Sequence, residues 1–460
     1  METLPPLPRD EESGSTIQYE QSLASALVEW DGPDDPANPQ NWNWKKKMWF
    51  TILFSICTFA VSFGSSVLAS AVIVLSEDYH ISPTVAGLSI TVYVLGFAAG
   101  PLVWGPVSEY MGRYWPFMIG YVGFRCFTIG VACAQNSYTI MICRFMQGAW
   151  AWSMTIIIGP TFGPIIGSFT VKNESLGWRW TMWFTLIMSA CPFIPVALTT
   201  GETWGPIILQ RKAARLRVET KNWALHSKRD EVPVDPRALM LKYGLKPLQM
   251  LIYEPILDAI TLYNCFVYGI IYLTFEAYPY AFGTVRKWES GVSSLPFLSL
   301  LVGYIIASII AITIHLQIID KKLTKGIQPP PEDQLPTMIV GSFSLVIGLF
   351  WFAWTSSPNI TWIPQIIAGP FIGCGISLMF IPCITYVIEC YLADANSALA
   401  ANTIVRSAVA AAFPLFATPM YAKLGVPWGF LCLIFIPAPI VFYLFGKKIR
   451  GWSKFAFDID

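Results

Sequence analysis

Apolar runs of about twenty residues recur along almost the whole chain, and no other feature restricts its fold as strongly. They lie at Trp49–Ala71, Val85–Gly105, Trp115–Ala134, Thr181–Thr199, Ile256–Phe275, Val292–Thr313, Met338–Trp354, Ile363–Ile388, Ala398–Met420 and Phe430–Phe445, with one further stretch at Tyr138–Val171. In hydrocarbon no water satisfies the backbone, so runs of this length must be helices. Only 13% of the residues are charged, about half the share typical of a soluble domain. The chain therefore reads as an all-α membrane protein with many spans.

The charges sort the loops. Trp42, Trp44 and Lys45–Lys47 form a basic and aromatic collar before the first span, which belongs at the cytosolic headgroups. Residues 1–44 are acidic and rich in proline and read as a disordered cytosolic tail. Residues 201–254 are polar, with Arg211, Lys212, Arg215, Arg217, Lys221, Lys228, Arg229, Arg237, Lys242 and Lys246. They make a cytosolic linker between two membrane halves, 45–200 and 255–446. Within it, Gln210–Lys221 has the pattern of a basic surface helix. The basic residues after span 12 place 447–460 in the cytosol as well, and twelve spans put every strong basic cluster on that side.

Several classes drop out. Most basic residues are segregated into a few short loops and the net charge is +1, so nucleic acid is not an expected partner. The ten cysteines form no Cys-x-x-Cys pair, and the three histidines, His80, His226 and His315, lie near separate loops; no metal or other cofactor is expected. No Gly-x-x-x-x-Gly-Lys-Ser/Thr phosphate loop is present, which argues against an ATP-driven pump. An enzyme is not expected either, since no Ser/His/Asp arrangement stands out.

Six spans, a basic linker and six more spans resemble the major facilitator superfamily. Gly105, Glu109, Gly112 and Arg113, between spans 2 and 3, match its Gly-x-x-x-Asp/Glu-x-x-Gly-Arg pattern. Four further segments are similar to the fungal branch of twelve-span drug:proton antiporters, which includes polyamine-transporter-like members. They are Asn38–Trp44, Phe275–Pro279, Pro331–Pro336 and Ser397–Ser407. The ladder Gly159, Pro160, Gly163, Pro164, Gly167 resembles the glycine-proline motif of the superfamily's antiporters in span 5. The resemblance implies two six-helix halves rocking about a midplane cavity, proton-coupled efflux of amphipathic drugs or metabolites, and a monomer in the plasma membrane with both termini cytosolic. Its partners would be a small-molecule cargo, protons and the lipid bilayer.

A charge in hydrocarbon needs a partner or a wet cavity, and this criterion selects the candidate residues. Arg144, in an Arg-x-x-Gln-Gly segment with Gln147, is expected either to tune a nearby carboxylate or to hydrogen-bond helix ends. Glu276, before a Tyr-Pro break, is a candidate proton carrier or binder of cationic cargo, or else an interfacial cap. Asn402 and Arg406 share a helix face by their four-residue spacing. Glu109 and Arg113 can pair with each other or with a helix end in the opposite half, holding one access state closed. Asp258 and Glu389 read as structural and interfacial. The three ladder glycines lie on one face and permit a close backbone approach.

The chain departs from the family pattern at three places. Tyr114 stands where a second basic residue is usual, and Arg125 interrupts span 3. More consequential is Tyr138–Val171, which must supply both span 4 and span 5 from 34 residues, at about 20 residues each. Both helices are expected to be truncated or fused, with about 25 residues absent relative to the family. That leaves two alternatives to drug efflux: transport of polyamines or other organic cations, and a defective or scaffold protein that transports nothing.

Overall fold

The computed structural model describes residues 26–151, 158–173, 175–231, 236–327 and 329–431. It is helical throughout, with one isolated bridge between Leu27 and His226 among the described residues. The first half contains α1 (Trp44–Ser66, running on through Val67–Ala71 and Val72–Asp78), α2 (Pro83–Met111), α3 (Tyr114–Ala132), α4 (Ser137–Ala151), α5 (Ile158–Lys172) and α6 (Arg179–Thr199). The linker holds α7 (Gly205–Thr220) and α8 (Pro236–Tyr253). The second half contains α9 (Pro255–Tyr278), α10 (Leu298–His315), α11 (Leu335–Trp354), α12 (Trp362–Tyr391) and α13 (Ala395–Leu431). Among the described residues nine helices are long and apolar enough to cross a membrane.

Local chemistry sets the helix ends. Ser82 accepts from Val85 N at the start of α2, whose first residue is Pro83. Gly112, at φ 89°, ends that helix in a conformation that costs a residue with a Cβ. Span 11 was expected at Ala398–Met420; α13 begins at Ala395 and reaches Leu431, with a break at Gly425 (φ 75°). All but the first two residues of the expected span 12, Phe430–Phe445, lie outside the described residues, as do 1–25 and 447–460.

In the first half α1 packs against α5 and α6, α2 against α4, and α3 against α4 and α6; in the second, α12 packs on α10 and α11, and α9 on α13. The halves meet along two seams, α2 against α13 and α5 against α10. The α1–α5 contact shows why the glycines fall every fourth residue. Gly159, Gly163 and Gly167 sit against Ser62, Ser66 and Ser70 of α1, a serine row at the same spacing. Ser66 Oγ donates to Pro160 O at 2.6 Å. A Cβ on Gly163 would stand 2.9 Å from Val67 N and 3.1 Å from Phe63 O, so the two backbones leave no room for a side chain.

The described residues of Tyr138–Val171 lie in two helices, α4 beside α2 and α5 beside α1. Fifteen residues are described in each, about 22 Å. The junction where the two helices were expected to be truncated or fused, residues 152–157, lies outside the described residues. Ala149 O of α4 accepts from Trp104 Nε1, yet α2 runs on past Trp104 to Met111. Gly159, at the start of α5, lies beside Phe59 and Ser62, whereas α1 begins at Trp44. A cavity of about 400 Å³ opens among Phe54, Trp104, Glu109, Phe117 and Asn396.

The tail prediction extended too far along the chain. Residues 26–43 dock on the linker through Val28 N to His226 O (2.8 Å), His226 N to Ala26 O (3.0 Å), and Lys212 Nζ to Asp31 Oδ1 (2.7 Å). Asp35 accepts from Asp31 N and Ala37 N, folding the segment into a turn. The basic helix α7 accordingly turns Lys212 toward this acidic segment; its bounds, Gly205–Thr220, begin five residues before the expected Gln210. Acidic residues that looked like disorder in isolation acquire partners once the linker folds.

Two measurements test these contacts. Gly163→Val should destabilise the detergent-purified protein by about 1–3 kcal/mol, read as a lower thermal midpoint; an unchanged midpoint would contradict the close α1–α5 approach. The backbone N–H groups of Asp31 and Ala37, aided by Lys212, hold the Asp35 carboxyl below its ordinary value. Its stabilisation is then present above the unfolded carboxyl value and is lost as pH falls through the lower folded one. Hydrogen exchange at residues 26–43 should rise on acidification below about pH 4.

Candidate functional site

Arg144 is fully buried on α4 and is held by neutral oxygens alone. Its Nη1 donates to Gly64 O (2.7 Å) and Gln147 Oε1 (3.0 Å), Nη2 to Ser65 O (3.0 Å) and Nε to Ser89 O (3.0 Å). The guanidinium lies 4.3 Å from the Tyr93 ring centre. Gln147 Nε2 in turn donates to Thr128 Oγ1 of α3 at 2.7 Å. Gly64 O and Ser65 O are available because α1 leaves α-helical geometry at Ser66 (φ −112°, ψ −12°), which frees carbonyls of its last turn. Of the two expected roles, the geometry displays the hydrogen-bonder; no carboxylate contacts Arg144 among the described residues.

In the second half the counterpart is Arg406 on α13, 2% exposed. Its guanidinium stands 4.5 Å from the Tyr268 ring centre and 4.8 Å from that of Phe380. One turn earlier, Asn402 accepts from Asn264 Nδ2 at 3.0 Å and donates to Thr261 Oγ1 at 3.1 Å, tying α13 to α9. Tyr268 and Tyr272 of α9 pack edge to face at 5.3 Å, and Tyr272 lies against Ser65 of α1. Aromatic rings from both halves therefore stand between the two arginines.

Farther out on α9, Glu276 is half-buried, and its carboxylate makes no hydrogen bond or ion pair among the described residues. The phenol of Tyr421 is its nearby electrostatic neighbour. On the outer side the halves touch through Ser168 Oγ and Ser294 Oγ (2.6 Å) and through Lys172 Nζ to Glu289 Oε2 (2.6 Å).

At the end of the bundle that faces the linker, Glu109 Oε1 of α2 accepts from Asn396 Nδ2 of α13 at 2.6 Å. Glu109 thus reaches the opposite half rather than Arg113, which is exposed and makes no ion pair among the described residues. The turn is built by residues the sequence reading did not single out. Glu202 accepts from Arg113 N (3.1 Å), Tyr114 N (3.3 Å), Thr203 N and Trp204 N, capping α3 with a carboxylate. A Cβ on Gly112 would collide with that carboxylate, whereas Gly105 faces open space. Arg229 Nη2 donates to Glu109 O (2.7 Å) and Tyr110 O (2.8 Å), the exposed end of α2. Glu202 and Arg229 were hidden among many linker charges; an acid immediately after a span and an arginine opposite Gly-Arg are weak signals by themselves.

The remaining candidates are local. Asp258 sits in the first turn of α9. Glu389 accepts from Gln334 Nε2 at 2.8 Å, between α12 and the turn before α11. Arg125 is half-buried on α3, 5.1 Å from the Phe193 ring centre. No group of three or more metal-ligating side chains occurs among the described residues.

This arrangement has relatives. The family model described as Major Facilitator Superfamily matches residues 54–157 and 151–414. The chain is 46% identical to the "Ascochitine biosynthesis cluster MFS transporter" of Didymella fabae, covering 94% of this chain and 90% of that one. It is 46% identical to the "Citrinin biosynthesis cluster MFS transporter mrr1" of Monascus ruber (97% and 95%), and 36% identical to the "Major facilitator superfamily multidrug transporter FLU1" of Candida albicans (99% and 80%). Among solved structures, the proton:xylose symporter XylE bound to 6-bromo-6-deoxy-D-glucose superposes with TM-score 0.61 at 14% identity, over 90% of this chain and 98% of that one. The chain belongs to the major facilitator superfamily. It is a multi-pass membrane protein of transporter fold, and its relatives are transporters rather than enzymes.

The same comparisons bear on Tyr138–Val171. The two segments of the family match meet and overlap at residues 151–157, between α4 and α5. The Didymella fabae alignment runs over 466 positions but uses 94% of the 460 residues, about 432, so about 34 positions have no residue in this chain.

If Arg144 holds the first half together by its fork of donors, Arg144→Lys should behave like Arg144→Ala. A point ammonium cannot serve carbonyls on α1 and α2 and the Gln147 amide at once, so both variants should lose monodisperse protein on size exclusion. Recovery by lysine would instead assign Arg144 a purely electrostatic task.

Proposed function

We propose that the protein exports amphipathic small molecules, drugs, toxins or fungal secondary metabolites, across the plasma membrane by proton-coupled alternating access, with both termini in the cytosol. The observation that carries this reading is the pair of contact layers between the halves. The Glu109–Asn396 hydrogen bond closes the cytosolic end, and Ser168–Ser294 with Lys172–Glu289 closes the outer end. Each layer is small enough to break while the other holds, and each half keeps its own packing. Between them lies an aromatic midplane, suited to cargo held by apolar area. The names of the relatives, from metabolite clusters and a multidrug transporter, support export of such cargo. Glu276 is the candidate proton carrier, since its carboxylate has no partner to hold it charged.

Efflux of a panel of hydrophobic dyes from cells expressing the chain should fall when a protonophore collapses the gradient, and Glu276→Gln should remove the coupling. Efflux indifferent to both would exclude antiport through this residue. One observation favours a second reading, a chain that has lost transport: Tyr138–Val171 offers only 34 residues to two spans, at about 20 residues each. Sequencing the transcript across residues 135–175 decides whether the missing segment belongs to the protein as made. A transcript that joins this region without an insert, together with absent efflux, would establish the second reading.

A further inference from the structure

The two buried arginines differ in one respect that bears on the cargo. Arg144 has an acceptor for each of its three nitrogens. Arg406 is as deeply placed, yet it makes no hydrogen bond and no ion pair among the described residues, and its Nε is buried without a partner. Its surroundings are the Tyr268 and Phe380 rings and the thiols of Cys265 and Cys383. Ring faces attract a cation but accept none of its N–H bonds fully. Asn402, one turn away, spends its amide on Asn264 and Thr261. A guanidinium left in this condition requires an acceptor, and neither half of the closed seam offers one.

We propose that Arg406 is the recognition site for an acidic group on the cargo, and that the chain takes aromatic carboxylates in preference to their neutral or cationic analogues. This rests on the export reading of the same seam and narrows its cargo. A carboxylate matches the guanidinium fork in charge and in the spacing of two parallel N–H bonds. Tyr268 and Phe380 flank the fork with ring faces, so the body of the acid is planar and aromatic. The rings and the cation come from α9, α12 and α13, and Tyr93 and Ser65 approach from the other half. Parting the halves would open the pocket, and closing them would enclose the acid. Glu276, two turns farther along α9, is the other partner open to Arg406 in a different state of the cycle, and the test separates the two.

The probe pair is 9-anthracenecarboxylate and its methyl ester, bound to the full chain in detergent at pH 7 and read by quenching of tryptophan fluorescence. The wild-type chain should bind the acid about ten-fold or more tightly than the ester, as expected for hydrogen bonds to a charged group. Arg406→Gln should bring the two within about three-fold, and Glu276→Gln should leave the preference intact. Equal binding of acid and ester by the wild-type chain overturns the proposal whatever the variants do. So does a preference that survives Arg406→Gln, or one that Glu276→Gln abolishes. Should Arg406→Gln fail to fold, Arg406→Lys keeps the charge and should retain a reduced preference for the acid; a preference for the ester would overturn the assignment. Acid binding without efflux removes the export reading and leaves the site standing, whereas efflux of both probes without acid preference does the reverse.

Discussion

Hydrocarbon gives a free backbone carbonyl no water to bind, and that constraint is met in the first half by one side chain. Where α1 leaves the α-helix after Ser66, Gly64 O and Ser65 O are claimed by Arg144, which also reaches Ser89 O of α2. A bond from a charged donor contributes about 1.5–3 kcal/mol, so the guanidinium, costly as a lone charge in a bilayer, is stabilised by the break that it repairs. The break also aligns Ser62, Ser66 and Ser70 with the glycines of α5. Arginine, helix break and glycine ladder form one dependent set.

The linker face follows the same logic in wetter surroundings. The end of α2 and the start of α3 expose carbonyls and N–H groups, and the linker supplies both complements, Arg229 for the former and Glu202 for the latter. The linker is therefore more than a tether between halves. It fixes the loop that presents Glu109 to Asn396, and it is itself braced by residues 26–43. The usual second basic residue of this loop is replaced by Tyr114, whose backbone N–H still joins the Glu202 cap. Capping the turn depends on backbone groups, and tolerates that replacement.

The brevity of Tyr138–Val171 leaves the ties of the first half in place. Arg144 and Gln147 lie on α4 and the glycine ladder on α5, and each keeps its partners on α1, α2 and α3. The cavity beside Phe54 and Trp104 lies at the level of Ala149, whose carbonyl accepts from Trp104 Nε1.

The helical membrane fold was legible in the sequence because burial in lipid writes itself as uninterrupted apolar length. The deficit between Tyr138 and Val171 was legible for the same reason: two helices cannot cross in 34 residues. Arg144 was legible as a buried charge, but its partners were not, since carbonyls freed by a break in another helix leave no mark at position 144. Glu109 was selected by its motif, whereas Asn396, 287 residues away, became its partner only through packing, as Glu202 became that of the Arg113 backbone. Residues 26–43 looked disordered because their acidic side chains find Lys212 only after the linker folds. Sequence by itself determined that the chain is a helical membrane protein and which charges fall in its apolar segments, because transfer into lipid depends on each segment's own composition. Which oxygen meets which guanidinium, and that Arg406 meets none among the described residues, was decided by tertiary structure, because hydrogen bonds depend on geometry between segments distant along the chain.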